Sequence, residues 1–175
     1  MKRKLLEQLL GWKKSKNRLP LLLEGARQVG KSYLLKTLFG EKYFEKVVHV
    51  NFEKADSELT NLFEGNIQPQ RVIDYLALKF NTAINQDDTL ILFDEIQEVP
   101  RALTSLKYFA EDAPEYHVVA TGSLLGVALH SGTSFPVGKV NRLRLYPMDF
   151  EEFCWANNMQ KHTEEAHDAI KSLKK

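Results

Sequence analysis

The stretch LLLEGARQVGKSYLL, residues 21–35, leads from an apolar segment through a loop with a glycine at each end into a helix-like segment. Within it, Gly25, Gly30, Lys31 and Ser32 fit the pattern GxxxxGK followed by Ser or Thr. A glycine turn that precedes Lys-Ser by chance is the alternative. Ordinary residue frequencies put such a match in this chain at roughly half a per cent. The stretch therefore predicts a phosphate-binding loop.

Both flanks of the loop support this prediction. Residues 20–23 are apolar and predict a short buried strand, and residues 31–39 predict a helix that ends at Gly40. The loop then lies between a strand and a helix, which is the structural context that the pattern requires.

Each residue type in the loop has its own part in binding phosphate. The glycines let the backbone amides point at the phosphates, and the helix beginning at Lys31 offers its positive N-terminal end. Lys31 is expected to reach the outer phosphates, and Ser32 to ligate Mg²⁺. The predicted nucleotide-binding residues are Gly25, Ala26, Arg27, Gln28, Val29, Gly30, Lys31, Ser32 and Tyr33.

A second motif, TLILFDE at residues 89–95, ends an apolar run in two acidic residues. Such a run predicts a strand over residues 89–93 that helices cover on both faces. Ligands of open α/β sheets bind outside the carboxyl ends of the strands, so Asp94 is expected to hold Mg²⁺ together with Ser32. Glu95 is the candidate general base that takes a proton from the attacking water. The alternative is that both acidic residues only close a buried strand.

The segment YHVVATGS, residues 116–123, predicts a fourth strand that ends in small residues. Thr121 or Ser123 would present a hydroxyl to the attacking water or to the outer phosphate. An ordinary transition from strand to turn is the alternative, with Gly122 supplying the backbone freedom. The catalytic candidates are Lys31, Glu95, Thr121 and Ser123.

Phosphoryl transfer often uses an arginine that stabilises charge in the transition state, and the sequence does not single one out. His162 and His167 are five residues apart, which does not match a helical zinc-binding pair, and His49 and His117 are predicted to be ordinary strand residues. Mg²⁺ is the metal expected. The basic candidates are Arg27, Arg101, Lys139, Arg142 and Arg144.

The order of predicted elements indicates the fold class. Strands alternate with helices along the chain, so we expect an α/β protein with the three-layer P-loop NTPase fold and a mainly parallel sheet. Leu5, Leu6, Leu9 and Leu10 predict an amphipathic helix before it. Residues 46–53 either separate the loop strand from the acidic strand, as in P-loop proteins that generally hydrolyse ATP, or lie at the periphery. Without an Asn-Lys-x-Asp sequence, GTP is the less expected nucleotide.

Length and composition are those of an ordinary globular domain. The chain has 175 residues, 43% hydrophobic and 27% charged, with a formal net charge of +1. Seven Lys or Arg and one Glu occupy residues 1–18, which is typical of a solvated helix face. Cys154 is the only cysteine and no apolar run is long enough to span a membrane, so we expect a cytoplasmic protein. The predicted domain is residues 1–155, followed by a polar tail over residues 156–175.

Together the motifs resemble the prokaryotic AAA-like ATPases of AAA domain family 14. The resemblance spans roughly residues 5–155 and is carried by GARQVGKS, ILFDEIQEVP, ATGSLLG, and the region from FPVGKV to YPMDFEEF. It implies binding of ATP with Mg²⁺ through the loop and Asp94, with Glu95 as the base and Thr121 or Ser123 as a sensor. Many relatives have Gly-Arg where this chain has Gly138 and Lys139, and lysine lacks the planar fork of arginine.

The resemblance also implies a longer protein with a C-terminal domain that contains a winged helix. The leading hypothesis is an ATPase that couples hydrolysis to a conformational change in that attached module, with weak turnover expected from this piece alone. The alternative is a nucleotide-gated switch or a module that binds DNA or a partner with little hydrolysis, and a small-molecule kinase ranks third. The partners considered are ATP and ADP, the C-terminal domain, a nucleic-acid or protein client, and a second copy of the chain.

Overall fold

The computed structural model describes residues 2–123, 136 and 138–159. Its centre is a sheet of five strands, and every pair of neighbouring strands is parallel. The order across the sheet is β2-β3-β4-β1-β5. The strands are β1 (Leu21–Glu24), β2 (Lys46–Asn51), β3 (Thr89–Asp94), β4 (His117–Gly122) and β5 (Asn141–Arg144).

Helices connect the strands and cover both faces of the sheet. The helix after the phosphate-binding loop consists of α2 (Lys31–Tyr33), a π-helical segment (Leu34–Gly40) and α3 (Glu41–Tyr43), and we call this continuous stretch the P-loop helix. Short 3₁₀ helices follow β2 (Phe52–Lys54) and β3 (Ile96–Glu98). The other helices of the described residues are α1 (Leu5–Lys14), α4 (Ser57–Glu64), α5 (Pro69–Lys79), α6 (Pro100–Asp112) and α7 (Phe150–Ala156).

Two hydrophobic cores lie on opposite faces of the sheet. Successive side chains of a strand point to opposite faces, so Leu90 and Leu92 of β3 join the core beneath α1 and the P-loop helix. Ile91 and Phe93 join the core beneath α4, α5 and α6. All six residues of β3 are buried, as are all six of β4, which explains their continuous apolar sequence. The predicted α/β fold with three layers is confirmed.

The position of β2 resolves the alternative that the sequence left open. Among the strands of the described residues, β2 pairs with β3 alone and lies at one edge of the sheet, so residues 46–51 form a peripheral strand. The strand that separates the loop strand β1 from the acidic strand β3 is β4. Because all five strands are parallel, the loop after β1, the acidic end of β3 and the end of β4 lie at the same edge of the sheet.

The prediction that Gly40 ends the P-loop helix is wrong, because the helix continues to Tyr43. Gly40 has helical backbone angles, and a Cβ atom there would lie 2.8 Å from Val47 Cγ2 and 2.9 Å from the carbonyl oxygen of Leu35. Glycine at this position lets the helix pack closely against the sheet.

The two ends of the described chain meet beside the sheet. Leu5, Leu9 and Trp12 of α1 are buried in the hydrophobic core that lies between the sheet and the P-loop helix. α7 begins with a capping box between Asp149 and Glu152 and ends at Ala156, one residue past the predicted domain boundary. Most of the predicted tail, including His162 and His167, lies outside the described residues. Among those described, no helix is long and apolar enough to cross a membrane.

Candidate nucleotide-binding site

Residues 25–30 form a loop whose backbone takes two left-handed conformations. Gly30 has φ of 92° and Gln28 has φ of 64°. Glycine adopts such a φ without steric cost, whereas glutamine does so at some cost in conformational energy. Arg27 is exposed, and its Nη2 lies 3.5 Å from Glu53 Oε1 just after β2. The loop therefore turns sharply before the P-loop helix begins at Lys31.

The first glycine of the loop is required by close packing. A Cβ atom on Gly25 would overlap the carbonyl oxygen of Leu145, the residue after β5. The backbone N–H of Leu145 also donates a hydrogen bond to the carbonyl oxygen of Glu24 at 2.7 Å. The start of the loop is therefore held tightly against the end of the neighbouring strand.

Lys31 is a buried cation that contacts the loop itself. Its side chain is enclosed, with the whole residue 4% exposed, and Nζ donates hydrogen bonds to the carbonyl oxygens of Gly25 at 3.1 Å and Ala26 at 2.9 Å. Burial lowers the pKa of Lys31, although the negative charges of Glu95 and Asp94 oppose this shift. No ion pair joins Lys31 to a carboxylate of the described residues. A buried cation of this kind is suited to an anionic ligand.

Asp94, at the end of β3, accepts hydrogen bonds from three different elements. Its Oδ1 accepts from the Ser32 hydroxyl at 3.0 Å and from the Thr121 hydroxyl, and its Oδ2 lies 3.2 Å from His49 Nε2. Burial on its own would raise the pKa of Asp94, but the hydrogen bonds from His49, Thr121 and Ser32 together outweigh it and lower the pKa. The carboxylate is therefore ionised at neutral pH.

Glu95 follows in a left-handed conformation, with φ of 53°. Its backbone N–H donates to Thr121 Oγ1 at 3.1 Å. Its Oε2 accepts hydrogen bonds from the Ser123 hydroxyl at 2.8 Å and from Gln97 Nε2 at 2.7 Å. The side chain is thus held from two directions at the edge of the sheet where the loop lies.

Thr121 and Ser123, which the sequence treats as alternatives for one role, have different surroundings. Thr121 is fully buried, and its hydroxyl joins Asp94 to the backbone of Glu95. Ser123 is partly exposed, and its hydroxyl contacts the Glu95 carboxylate. Ser123 therefore lies nearer to solvent, while Thr121 connects the ends of β3 and β4.

Magnesium fits the side chains at this site. Ser32 and Asp94 provide hard oxygen ligands in mutual contact, as Mg²⁺ prefers. In the described part of the chain, no group of three or more His, Cys, Asp or Glu side chains could hold a metal ion. Mg²⁺ usually takes one or two protein ligands and completes its shell with water and substrate phosphates, so a larger cluster is not needed.

The basic candidates from the sequence are engaged away from the two acidic residues. Arg27 pairs with Glu53, and Lys139 Nζ lies 3.0 Å from Glu111. None of the five contacts Asp94 or Glu95 among the contacts of the described residues. The other three have these partners: Arg101 donates to the carbonyl oxygens of Phe63 and Gly65, Arg142 pairs with Glu24, and Arg144 lies over the Tyr146 ring.

Three residues that contact the site were not identified from the sequence as site residues. His49 contacts Asp94, and Gln97 contacts Glu95. Arg3 is only 3% exposed, and its Nη1 donates to the carbonyl oxygen of Val29 in the loop at 3.1 Å. The available signal for Gln97 was its position two residues after Glu95. The sequence contained no signal for His49 or Arg3, because the residues that they contact are far away in the sequence.

Comparisons with known proteins give a family match and a solved structure that is similar to this chain. A family model described as an AAA domain, AAA_14, matches residues 17–154. A crystal structure of Pif1 helicase from Candida albicans is similar to this chain with a TM-score of 0.41 and 15% sequence identity. That similarity covers 85% of this chain and 40% of the helicase chain, so the chain spans less than half of the helicase's length. A search of curated proteins found no match.

The family assignment rests on the extent of the sequence match. Residues 17–154 include the loop, Asp94, Glu95 and every strand of the sheet. The family is one of nucleotide-binding ATPases that use a P-loop. The chain therefore belongs to the AAA domain family AAA_14 and is an AAA-like P-loop ATPase domain.

Proposed function

We propose that this domain binds ATP with Mg²⁺ and hydrolyses it to ADP and phosphate, driving a conformational change in an attached C-terminal module. The observation that carries the proposal is the convergence of Lys31, Ser32, Asp94 and Glu95 at one edge of the sheet. The predicted domain, residues 1–155, is proposed as the catalytic unit. Its location in the cytoplasm and its association with a client or a second copy stay predictions.

In the proposed binding step, Lys31 exchanges its hydrogen bonds to the carbonyl oxygens of Gly25 and Ala26 for the outer phosphates of ATP. This exchange gives a buried cation an anionic partner, which favours binding. Ser32 and Asp94 would hold Mg²⁺, which neutralises charge on the phosphates. The loop and the end of β3 thus form one binding site.

In the proposed chemical step, Glu95 takes a proton from a water molecule whose oxygen attacks the terminal phosphorus. The bond to the bridging oxygen breaks, and ADP leaves with that oxygen. Ser123 and Gln97 both donate to Oε2 of Glu95, so they fix the carboxylate while its other oxygen is the one to accept the proton. Positioned general bases contribute about 10²–10⁴-fold to such reactions.

Coupling to an attached module is supported by Arg3. Its guanidinium contacts the loop at Val29, the backbone of Tyr146 after β5, and the carboxylate of Glu152 in α7. A change in the loop on binding nucleotide would therefore reach the segment that follows the sheet. The same contacts suit a nucleotide-gated switch with little hydrolysis, which is the second candidate function.

Two variants test the proposal through different measurements. We expect Lys31→Ala to weaken binding of a fluorescent ATP analogue by about 10–100-fold, because a charged hydrogen-bonding group is lost. We expect Glu95→Gln to bind the analogue normally and to release phosphate at least about 100-fold more slowly. Lys36→Ala is the matched control, since Lys36 is an exposed lysine of the same helix.

The outcomes separate the candidate functions. Normal binding by Lys31→Ala would contradict the site itself. Normal turnover by Glu95→Gln would contradict the assigned base. In the longer protein with its C-terminal module, ATP binding without turnover, with and without added DNA, would favour the switch over the ATPase, whereas turnover stimulated by DNA would favour an ATPase that works on nucleic acid.

A further inference from the structure

Side chains contact both oxygens of the Asp94 carboxylate. Ser32 and Thr121 both contact Oδ1, whereas Oδ2 faces His49 Nε2 at 3.2 Å. In the proposed function Ser32 also ligates Mg²⁺ through an oxygen lone pair, and its O–H can still donate to Asp94. Of the three described side chains that hold this carboxylate, His49 is the one that lies on Oδ2.

His49 projects toward Asp94 from the edge strand β2. Its neighbours Val48 and Val50 point into the core beneath α4, α5 and α6, so His49 lies on the opposite face of the sheet, toward the P-loop helix. Asp94 is paired in register with Asn51, two residues further along β2. The His49 side chain is 23% exposed and that of Asp94 is 3% exposed. The partly exposed imidazole of His49 thus contacts the buried carboxylate of Asp94 from the side that is nearer to solvent.

A donor on Oδ2 adds to the restraint that the donors on Oδ1 provide. Rotation about the Cβ–Cγ bond moves both oxygens, so a contact at Oδ2 opposes the same rotation from the other side of the carboxylate. His49 thereby helps to set the direction in which the carboxylate faces the metal and its waters. Groups that orient a metal-binding side chain in this way affect metal affinity by about 10–100-fold.

We propose that His49 is a positioning residue, which orients Asp94 for Mg²⁺-dependent nucleotide binding. The inference rests on the proposed function, because it assigns His49 a part in the same site. A neutral imidazole with its proton on Nε2 donates to Oδ2, so the role requires no positive charge on the ring. β2 thereby contributes to the site although two strands, β3 and β4, separate it from β1.

The test measures binding of a fluorescent ATP analogue as Mg²⁺ is titrated, and again without Mg²⁺. We expect His49→Ala to raise the half-saturating Mg²⁺ concentration about tenfold and to leave the Mg²⁺-free affinity unchanged. We expect His49→Gln to recover most of this loss, because its amide nitrogen can donate at a similar distance from the backbone. Val47→Ala is the matched control, since Val47 lies on the same face of β2 and makes no contact with Asp94 among the described residues.

A double variant shows whether His49 acts through Asp94. In an Asp94→Asn background, His49→Ala should change the Mg²⁺ dependence little, because the carboxylate it orients is gone. The inference is overturned if His49→Ala has the wild-type Mg²⁺ dependence, or if it weakens Mg²⁺-free binding equally. Wild-type protein whose nucleotide binding is independent of Mg²⁺ would instead contradict the proposed function, so the two failures are distinguishable.

Discussion

At the scale of single residues, Glu95 shows how the site supports an unfavourable backbone conformation. Its φ of 53° is rare for a residue with a side chain and costs about 1–2 kcal/mol. The Thr121 hydroxyl accepts a hydrogen bond from the Glu95 N–H, while Ser123 and Gln97 donate to its carboxylate. β4 therefore holds the conformation in place, and Thr121 is the buried contact between the two strand ends.

Removing the Thr121 hydroxyl tests this support. We expect Thr121→Val, which keeps the shape of the side chain, to lower the free energy of unfolding by about 1–3 kcal/mol, because the N–H of Glu95 loses its acceptor. Phosphate release should slow in the same variant. Thr121→Ser is the control, and it should recover both quantities. Wild-type urea unfolding and turnover in Thr121→Val would rule out the supporting role.

At the scale of elements, the P-loop helix and the sheet pack too closely for a side chain at position 40. Glycine in a helix interior is ordinarily unfavourable by about 0.5–1 kcal/mol relative to alanine. At Gly40, an added Cβ atom would meet both Val47 on β2 and the helix's own backbone. Gly11, in the middle of α1, has no atom within 4 Å of an added Cβ.

The same substitution should therefore have opposite effects in the two helices. We expect Gly40→Ala to destabilise the protein by about 1–3 kcal/mol through overpacking. Gly11→Ala should stabilise it by about 0.5–1 kcal/mol, because only helix propensity changes. Urea unfolding of both variants measures the two effects. A gain in stability at both positions would show that Gly40 has room for a methyl group.

At the scale of the whole molecule, local patterns predicted most of the framework. The loop, the acidic strand and the alternation of strands and helices depend on residues close together in the sequence, and each was found there. Contacts between distant segments were not predicted. His49 and Asp94 are 45 residues apart, and Arg3 and Tyr146 are 143 apart. The sequence also could not decide that β2 is an edge strand, since that depends on the order in which the strands assemble.

Arg3 is the clearest example of such a distant contact, because a basic residue expected on a solvated face is buried. Its Nε lies 3.2 Å from Glu152 Oε1, and both side chains are at least nine-tenths buried. Breaking a buried ion pair by removing one partner costs about 3–5 kcal/mol, because the other charge stays buried without its partner. The Arg3 contact with Val29 also links this pair to the loop.

A double substitution separates stability from nucleotide binding. We expect Arg3→Ala to lower the unfolding free energy by about 3–5 kcal/mol and to weaken binding of the ATP analogue. Arg3→Met combined with Glu152→Gln removes both charges, so it should recover much of the stability while binding stays weak. Thermal unfolding and titration of the analogue measure the two effects. Full recovery of binding in the double variant would limit Arg3 to a structural role.

The two glycines of the loop are required for different structural reasons. Position 25 excludes any side chain because the backbone of Leu145, directly after β5, lies against it, so Gly25→Ala would displace the end of the neighbouring strand as well as disturb the phosphate site. Position 30 is constrained by its backbone angle, and within the described part of the chain Arg3 Nη1 is the one atom close to an added Cβ, at 3.8 Å. A substitution at Gly25 would disturb the packing at the edge of the sheet. A substitution at Gly30 would disturb the backbone conformation of the loop. Weakened nucleotide binding in a Gly30→Ala variant is therefore the more direct measure of what the loop itself contributes.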